Sequence, residues 1–429
     1  MGVVAWYSSG RNVDVAKLTK RAMAVMVAGL FVVSALVVGF YWYTAPDDNS
    51  VIGETIGISD VSLKAGSKWV TGGSGTASDP YVISGLNLQV TATDTTLESY
   101  GILIADVEAH LLIHGVTIRA SLGLPSWAEL KGIAISRATN VTIQFSRFEN
   151  LTIAIEVSGS RVDINNNTFD SCRGGIIMEE ASFEHPDGMT VVQNNFYQTE
   201  SCVLVEGGIN GATWTEVQIR NNSLSSYKWG IGVFQKGYHF TIAGNEFSDG
   251  TNSAVRAFEL KDSVIIQNRL YHHVENGGGF DLGQSSDVMI SGNYISVSGP
   301  AITLSYCKGI EVSNNYITGT WNGYAPTGFG ILVENGLWVN VTYNRIWETV
   351  AGVVFLSSGS GNSSAWVHHN EFVGNVIHAV DNSGPDNHWD DGVSEGNYWG
   401  AAVEAPYMID SDSVDHFPLA TPPVLNWRS

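Results

Sequence analysis

Cysteine is scarce. The chain has three in 429 residues, Cys172, Cys202 and Cys307, too few for a disulfide framework. Cys172 and Cys202 each follow a serine one repeat apart, which leaves one lateral bridge open to them. Positive charge is scarce too: 21 Lys and Arg stand against 42 Asp and Glu, a formal charge of −21. That sign argues against nucleic acid or anionic lipid as a partner of the folded part. Beyond residue 43 there is no run of apolar residues three and four apart, so helical repeats are excluded. A leucine-rich framework with a helical half is absent as well. The glycine-rich stretch at residues 72–83 lacks the Gly-Lys-Ser/Thr ending of a phosphate loop, and reads as a turn opening the first coil.

What the chain does have is one phrase repeated. Residues 162–169, VDINNNTF, run apolar, polar, apolar, two small or polar residues, Asn, any residue, large apolar. The phrase returns at 217–224, 240–247, 288–295, 310–317, 339–346 and 365–372, with weaker copies at 189–196 and 263–270. Ser146 and Val116 hold the asparagine place in the earliest copies, and Asn397 closes the series. The key asparagines are Asn167, Asn194, Asn222, Asn245, Asn268, Asn293, Asn315, Asn344, Asn370 and Asn397. A period of roughly 20–50 residues marks a solenoid, and apolar residues two apart mark strands.

The expected fold is therefore all-β, a single-stranded right-handed parallel β-helix of about twelve coils, with its strands ~4.7–4.9 Å apart so that equivalent residues stack. An asparagine at a fixed corner passes its amide N–H to the amide oxygen of the next coil and tolerates a left-handed backbone. A second strand follows in each coil, as in GIAIS at 132–136 and GILVE at 330–334. Inserts at 122–130, 183–188, 209–216, 320–327 and 357–364 are expected to project as loops, where function concentrates on a rigid scaffold.

The N-terminus differs in kind. Residues 1–21 end in Lys17, Lys20 and Arg21, and residues 22–43 carry no charge. As a helix this run spans roughly 33 Å, enough for the ~30 Å hydrocarbon core, and Tyr41-Trp42-Tyr43 suits an interfacial belt. The expected organisation is a cytoplasmic tail (1–21), a transmembrane signal-anchor helix (22–43), a linker (44–60), the β-helix (61–400) and a C-terminal cap (401–429). It places a single-pass protein in the cell membrane, with its β-helix extracellular or periplasmic.

The segment GTASDPYVI, the coil phrase, Asn387-His388-Trp389-Asp390-Asp391-Gly392, Gly396-Asn397-Tyr398-Trp399-Gly400 and the closing Pro406-Tyr407 and Asp415-His416-Phe417-Pro418-Leu419 resemble NosD-like right-handed parallel β-helix proteins, within the wider group of carbohydrate-binding proteins and sugar hydrolases. The resemblance covers about residues 61–419 and departs at Gly400-Ala401, where a polar continuation is the pattern. It implies an exported β-helix without fixing an activity. It also brings copper, which as a soft ion needs Met, Cys or clustered His. The pairs His272-His273 and His368-His369 occupy different places in their coils and the methionines are scattered, which argues against a copper site.

The remaining candidates come from the residues themselves. Trp127, Trp214, Trp229, Trp321 and Trp338 lie in or beside inserts or corners and are candidates for stacking on sugars. Asp390, Asp391, Asp410, Asp412 and Asp415 are the candidate calcium ligands, since calcium takes several oxygen ligands; the WDDG segment also reads as a turn capping the last coil, and no other cofactor is called for. Glu179, Glu206, Glu259, Asp281 and Glu334 offer a partial acidic stripe or a solvated face. Asn140, Asn150, Asn166, Asn221, Asn340 and Asn362 sit in Asn-X-Ser/Thr triplets, acceptors of glycans where the host has the machinery. The residue sets of polygalacturonases are missing. The expected role is a membrane-anchored, non-enzymatic cell-surface or carbohydrate-interacting scaffold, with polysaccharide or other surface proteins as partners. A polysaccharide lyase or glycoside hydrolase acting on acidic polysaccharide is the alternative, and a NosD-like copper-related accessory protein the lesser one.

Overall fold

The computed structural model describes residues 50–425 apart from 65, 92–97, 122–127, 160, 180–187, 207–212, 273–276, 321–327 and 358–362. The chain separates into two units, Met1–Asn49 and Ser50–Ser429. The expected membrane anchor at 22–43 lies outside the described residues. Among those residues no helix is long and apolar enough to cross a membrane. Half or more of each expected insert lies outside them too.

The second unit is a parallel β-solenoid. One coil runs through Val162–Asn165, Thr168–Asp170 and Gly174–Glu179 before returning as Thr190–Val192 above its start. The eight-residue phrase thus spans two strands in different sheets, with the asparagine at the corner between them, and each coil feeds three sheets. Each sheet is thirteen strands deep along its path, against the expected dozen coils. The register is strict: Asp163 pairs with Thr190, Phe169 with Phe196 and Met178 with Val205.

Inward positions form columns. Phe148, Phe169 and Phe196 are fully buried in the second sheet, their rings stacked 5.2 and 4.5 Å apart. Ile143, Ile164, Val191 and Ile219 form the matching column in the first. At about 25 cal/mol per Å² of apolar surface removed from water, these columns are the main stabilising term, and each exists only because the next coil covers it. Several third-sheet strands carry a glycine at or next to their start for a steric reason. A Cβ on Gly230 would lie 2.3 Å from the carbonyl oxygen of Ala254 in the next coil, and one on Gly330 2.2 Å from that of Gly352.

All ten corner asparagines are at most 1% exposed. The backbone N–H of Asn167 donates to Oδ1 of Asn194 at 2.9 Å, and its Nδ2 donates to the same oxygen at 3.1 Å and to the Ile143 carbonyl of the preceding coil at 2.9 Å. The pattern continues through Asn245 and Asn344 to Asn397. Ser146 extends the column downward, its N–H donating to Asn167 Oδ1. One detail differs from expectation. The left-handed residue is the one before the ladder position, as at Asn166 (φ 55°), Gln193 (58°), Asn221 (55°), Tyr343 (55°) and His369 (58°). The ladder asparagine is fixed by its amide bonds, and its predecessor makes the turn.

The two ends are built differently. The chain joins the solenoid at Ser50–Ile52 and Ile56–Ile58, which pair with Asn87–Val90 and Glu98–Val107, so the stretch expected as linker already forms part of the first coil. At the other end Asp415 takes the place of the next asparagine. Its Oδ2 accepts from the Asn397 N–H at 2.8 Å and the Trp399 indole at 2.9 Å, and Oδ1 accepts from the Phe417 N–H. Trp399 stacks between Phe372 at 4.7 Å and Tyr407 at 4.2 Å, closing the aromatic column. The strands Tyr407–Met408 and Val414–Asp415 pair antiparallel as a flap over this end. No bridge joins Cys172 and Cys202: all three cysteines are free and buried.

Candidate functional site

Outward positions carry whatever chemistry the solenoid offers. On the third sheet Gly232, Arg256, Asp281 and Thr303 occupy one outward column by strand register. Arg256, Asp281 and Thr303 line an open cleft of ≈280 Å³ together with Trp229, Gly278, Gly279 and Pro300. Two successive glycines, Gly278 and Gly279, line it without side chains. Gly279 is dictated by stacking, since a Cβ there would meet the Ala301 carbonyl oxygen at 2.0 Å. Gly278 is not: its nearest neighbour, the Pro300 carbonyl oxygen, is 3.5 Å away.

The Arg256 guanidinium lies over Trp229 at 5.5 Å and Phe258 at 5.4 Å. Its Nε reaches Asp281 Oδ2 at 3.3 Å as an ion pair, yet this buried N–H has no aligned hydrogen-bond acceptor. Burial pushes the Asp281 carboxyl above the ordinary range, and the Arg256 charge pulls it partly back. The cleft thus combines an indole, a guanidinium with unused donors and one carboxylate.

The other aromatic candidates fall elsewhere. Trp214 is buried at 1% exposure, so it is a core residue rather than a sugar platform. Trp338 is 65% exposed, with Lys308 Nζ 4.3 Å from its ring. Trp127 and Trp321 lie outside the described residues. Aromatics not singled out in the sequence, Tyr271, Tyr294, Tyr316 and Trp347, touch ring to ring across neighbouring strands of the outer second sheet, directly from Tyr294 to Tyr316 and diagonally at Tyr271 and Trp347. Tyr294 and Tyr316 stack at 5.2 Å and 4°, so their facing surfaces cover each other and support the sheet rather than a ligand. Of the acidic stripe, Glu179 and Glu206 come together on successive coils, where burial first and then the charges of Glu156 and Glu206 raise the Glu179 carboxyl, while Glu334 stands apart beside Ser305 and Leu356. Glu156 meets the buried Lys131 at 2.8 Å, with Glu98 at 3.8 Å and Glu129 at 3.9 Å.

The five aspartates considered for calcium do not converge, and no group of three potential ligands that could hold a metal occurs among the described residues. The oxygens of four of them are engaged by the cap. Asp391 Oδ1 accepts from the N–H groups of Val393, Ser394 and Glu395, which hold its carboxyl at about 2. Asp390 binds the Gly392 N–H and both the backbone and the ring of His416. Asp410 receives the N–H groups of Asp412 and Ser413, and Asp415 is the column end described above. Of the triplet asparagines, Asn140, Asn150, Asn221 and Asn340 are exposed, Asn166 is half-buried, and Asn362 lies outside the described residues.

Arg256 was not marked by the sequence patterns. Its only signal is a cation between alanine and valine on an outward strand position, in a chain poor in cations.

These observations define the class: an all-parallel three-sheet β-solenoid that carries a polar cleft among its described residues. The chain matches the family described as "Periplasmic copper-binding protein (NosD)" over residues 72–257 and again over 192–403, and it belongs to that family. No curated protein matches the sequence. Among solved structures, the periplasmic alginate epimerase AlgG is similar with a TM-score of 0.46 at 14% identity, covering 79% of this chain and 83% of that one. Tailspike protein 3 of bacteriophage CBA120 gives 0.47 at 12%, covering 66% and 52%. The Streptococcus pneumoniae adhesin PfbA gives 0.46 at 15%, covering 77% and 89%.

The family description raises copper, and the described residues do not fit it. Cys172 and Cys307 are buried and direct their S–H groups at backbone carbonyls, with burial pushing the thiols to about 12 and about 11. Burial raises Cys202 well above the usual thiol range. A soft ion needs accessible thiolate, thioether or imidazole. Met178 and Met189 are buried, while Met289 and Met408 are exposed on different parts of the chain. His368 and His369 turn their Nδ1 atoms toward each other at 2.6 Å, and His369 Nε2 is held by Glu395.

Proposed function

We propose that this protein is an exported, non-catalytic scaffold whose β-solenoid binds saccharide, held at the cell surface by residues 22–43 with the solenoid on the outer side. The observation that carries the reading is the cleft at Trp229, Arg256 and Asp281: an aromatic face beside a donor and an acceptor, on a rigid surface. Apolar ring faces suit the C–H faces of a sugar, and a few polar groups fix orientation. The family's periplasmic description and the acidic, weakly charged composition support export.

The enzymatic alternative asks for more than the cleft offers. Glycoside hydrolysis uses two carboxyl groups within about 5–9.5 Å of one another, and Asp281 is the one carboxylate among the described lining residues. The test is a polysaccharide panel presented to the full chain, with size analysis of every polymer that binds. Retention without shortening of the polymer is the expected result. New reducing ends or unsaturated products would replace this reading with the hydrolase or lyase one.

A further inference from the structure

We infer that the cleft takes an uncharged saccharide, gripping two adjacent hydroxyls between Arg256 and Asp281 with the ring seated against Trp229. This rests on the saccharide-binding reading and narrows its ligand class. Three observations carry it.

The first is the charge of the site. Arg256 and Asp281 cancel, and the other described lining groups are neutral, within a chain of formal charge −21. A polyanion approaching this surface meets like charge over most of its length, with one already paired guanidinium to welcome it. A cationic ligand meets Arg256 itself. A neutral ligand incurs neither penalty.

The second is the pairing geometry. Arg256 Nε is buried against Asp281 as an ion pair at 3.3 Å, while about a third of each side chain stays exposed, which leaves the terminal N–H groups of the guanidinium and the carboxylate open to a ligand. A hydroxyl both donates and accepts. One hydroxyl accepts from the guanidinium while its neighbour donates to the carboxylate, so the pair is completed without breaking its charge balance. Hydrogen bonds to charged groups are the stronger kind.

The third is shape. Arg256 holds the Trp229 ring from one side at 5.5 Å, and the side-chain-free edge at Gly278 and Gly279 leaves room beside it. A Cβ on Gly278 would meet nothing closer than the Pro300 carbonyl oxygen at 3.5 Å, so the coil stacking does not require glycine at this edge of the cleft.

The experiment is calorimetric titration of the full chain with neutral hexasaccharides (gluco-, manno- and galacto-series) and with oligogalacturonate, at about 50 and about 500 mM NaCl, where screening differs severalfold. A neutral series is expected to bind with an affinity that changes less than about twofold with salt. Arg256→Gln and Asp281→Asn are each expected to weaken binding about tenfold or more, the loss of one charge-assisted hydrogen bond. Gly278→Leu, which fills this edge without touching either charge, is expected to do the same while circular dichroism and the denaturation midpoint stay as in the wild type. Tighter, salt-dependent binding of the uronate would overturn the inference and leave the saccharide scaffold standing. So would neutral binding indifferent to all three substitutions. Binding of neither class would remove both.

Discussion

Asn245 carries the logic of the fold in one side chain. Its oxygen accepts two N–H groups of Asn222, its amide nitrogen donates to Asn268 and to the Ile219 carbonyl, and the whole group is 1% exposed. Asn245→Ala strands those partners away from water, and each buried unsatisfied group costs about 1–3 kcal/mol. We expect a loss of about 2–4 kcal/mol in urea denaturation with the slope unchanged. The ladder position was legible because no other residue type recurs at that step. The left-handed backbone was legible as a need of the corner but not as a place, since Asn, Gln, Gly, Tyr and His all serve there. A pH effect belongs at this scale too. Three N–H donors hold Asp391 at about 2, below the ordinary 3.8. The folded state therefore binds its proton less readily than the unfolded chain, and the resulting stability is present above about pH 4 and lost as pH falls toward about 2. The difference in midpoint between wild type and Asp391→Ala is expected to hold from neutral pH down to about 4, then to narrow across that window.

At the scale of elements, strands and cap behave differently. Third-sheet strands begin where two backbones meet most closely, so Gly230→Ala drives its Cβ into the Ala254 carbonyl. We expect it to destabilise by about 1–3 kcal/mol, as overpacking does, in contrast to the tolerance expected at Gly278. The cap is a small module of its own: Asp381 gathers Ser383, Asn387, Trp389 and Ser413, and Asp415 ends the amide column. Asp415→Asn keeps the volume and removes acceptor capacity from a group that receives three N–H donors. A loss of about 1–3 kcal/mol is expected, together with solvent exposure of Trp399 seen in its fluorescence before the main transition. The sequence marked these aspartates as acidic and clustered, which is as far as a one-dimensional pattern reaches. Whether a carboxylate faces a metal or a peptide N–H depends on turns that Gly392 and Ser413 make, and those are visible only in three dimensions.

Over the whole molecule, the solenoid separates what holds the fold from what carries function. The columns of Asn, Ile and Phe repeat, so they stand out in the sequence; the cleft does not repeat, so it does not. Trp229 was reachable as an aromatic near a corner. Arg256 and Asp281 become partners only when Val255–Phe258 and Phe280–Gly283 are laid side by side, 25 residues apart along the chain at the paired positions.

The stacking of coil on coil is the claim on which the site, its ligand class and the cap all rest, and it is measurable in solution as distance. Thr168, Arg269, Tyr294 and Tyr316 lie in one outward column, four, five and six coils apart by strand pairing. Spin labels on Thr168→Cys paired in turn with Arg269→Cys, Tyr294→Cys and Tyr316→Cys leave the buried native thiols untouched. The account predicts separations of roughly 19, 24 and 29 Å, rising by ~4.8 Å with each coil whatever the number of residues in it. Distances that fail to rise in that even step, or that follow residue number instead of coil number, would contradict it.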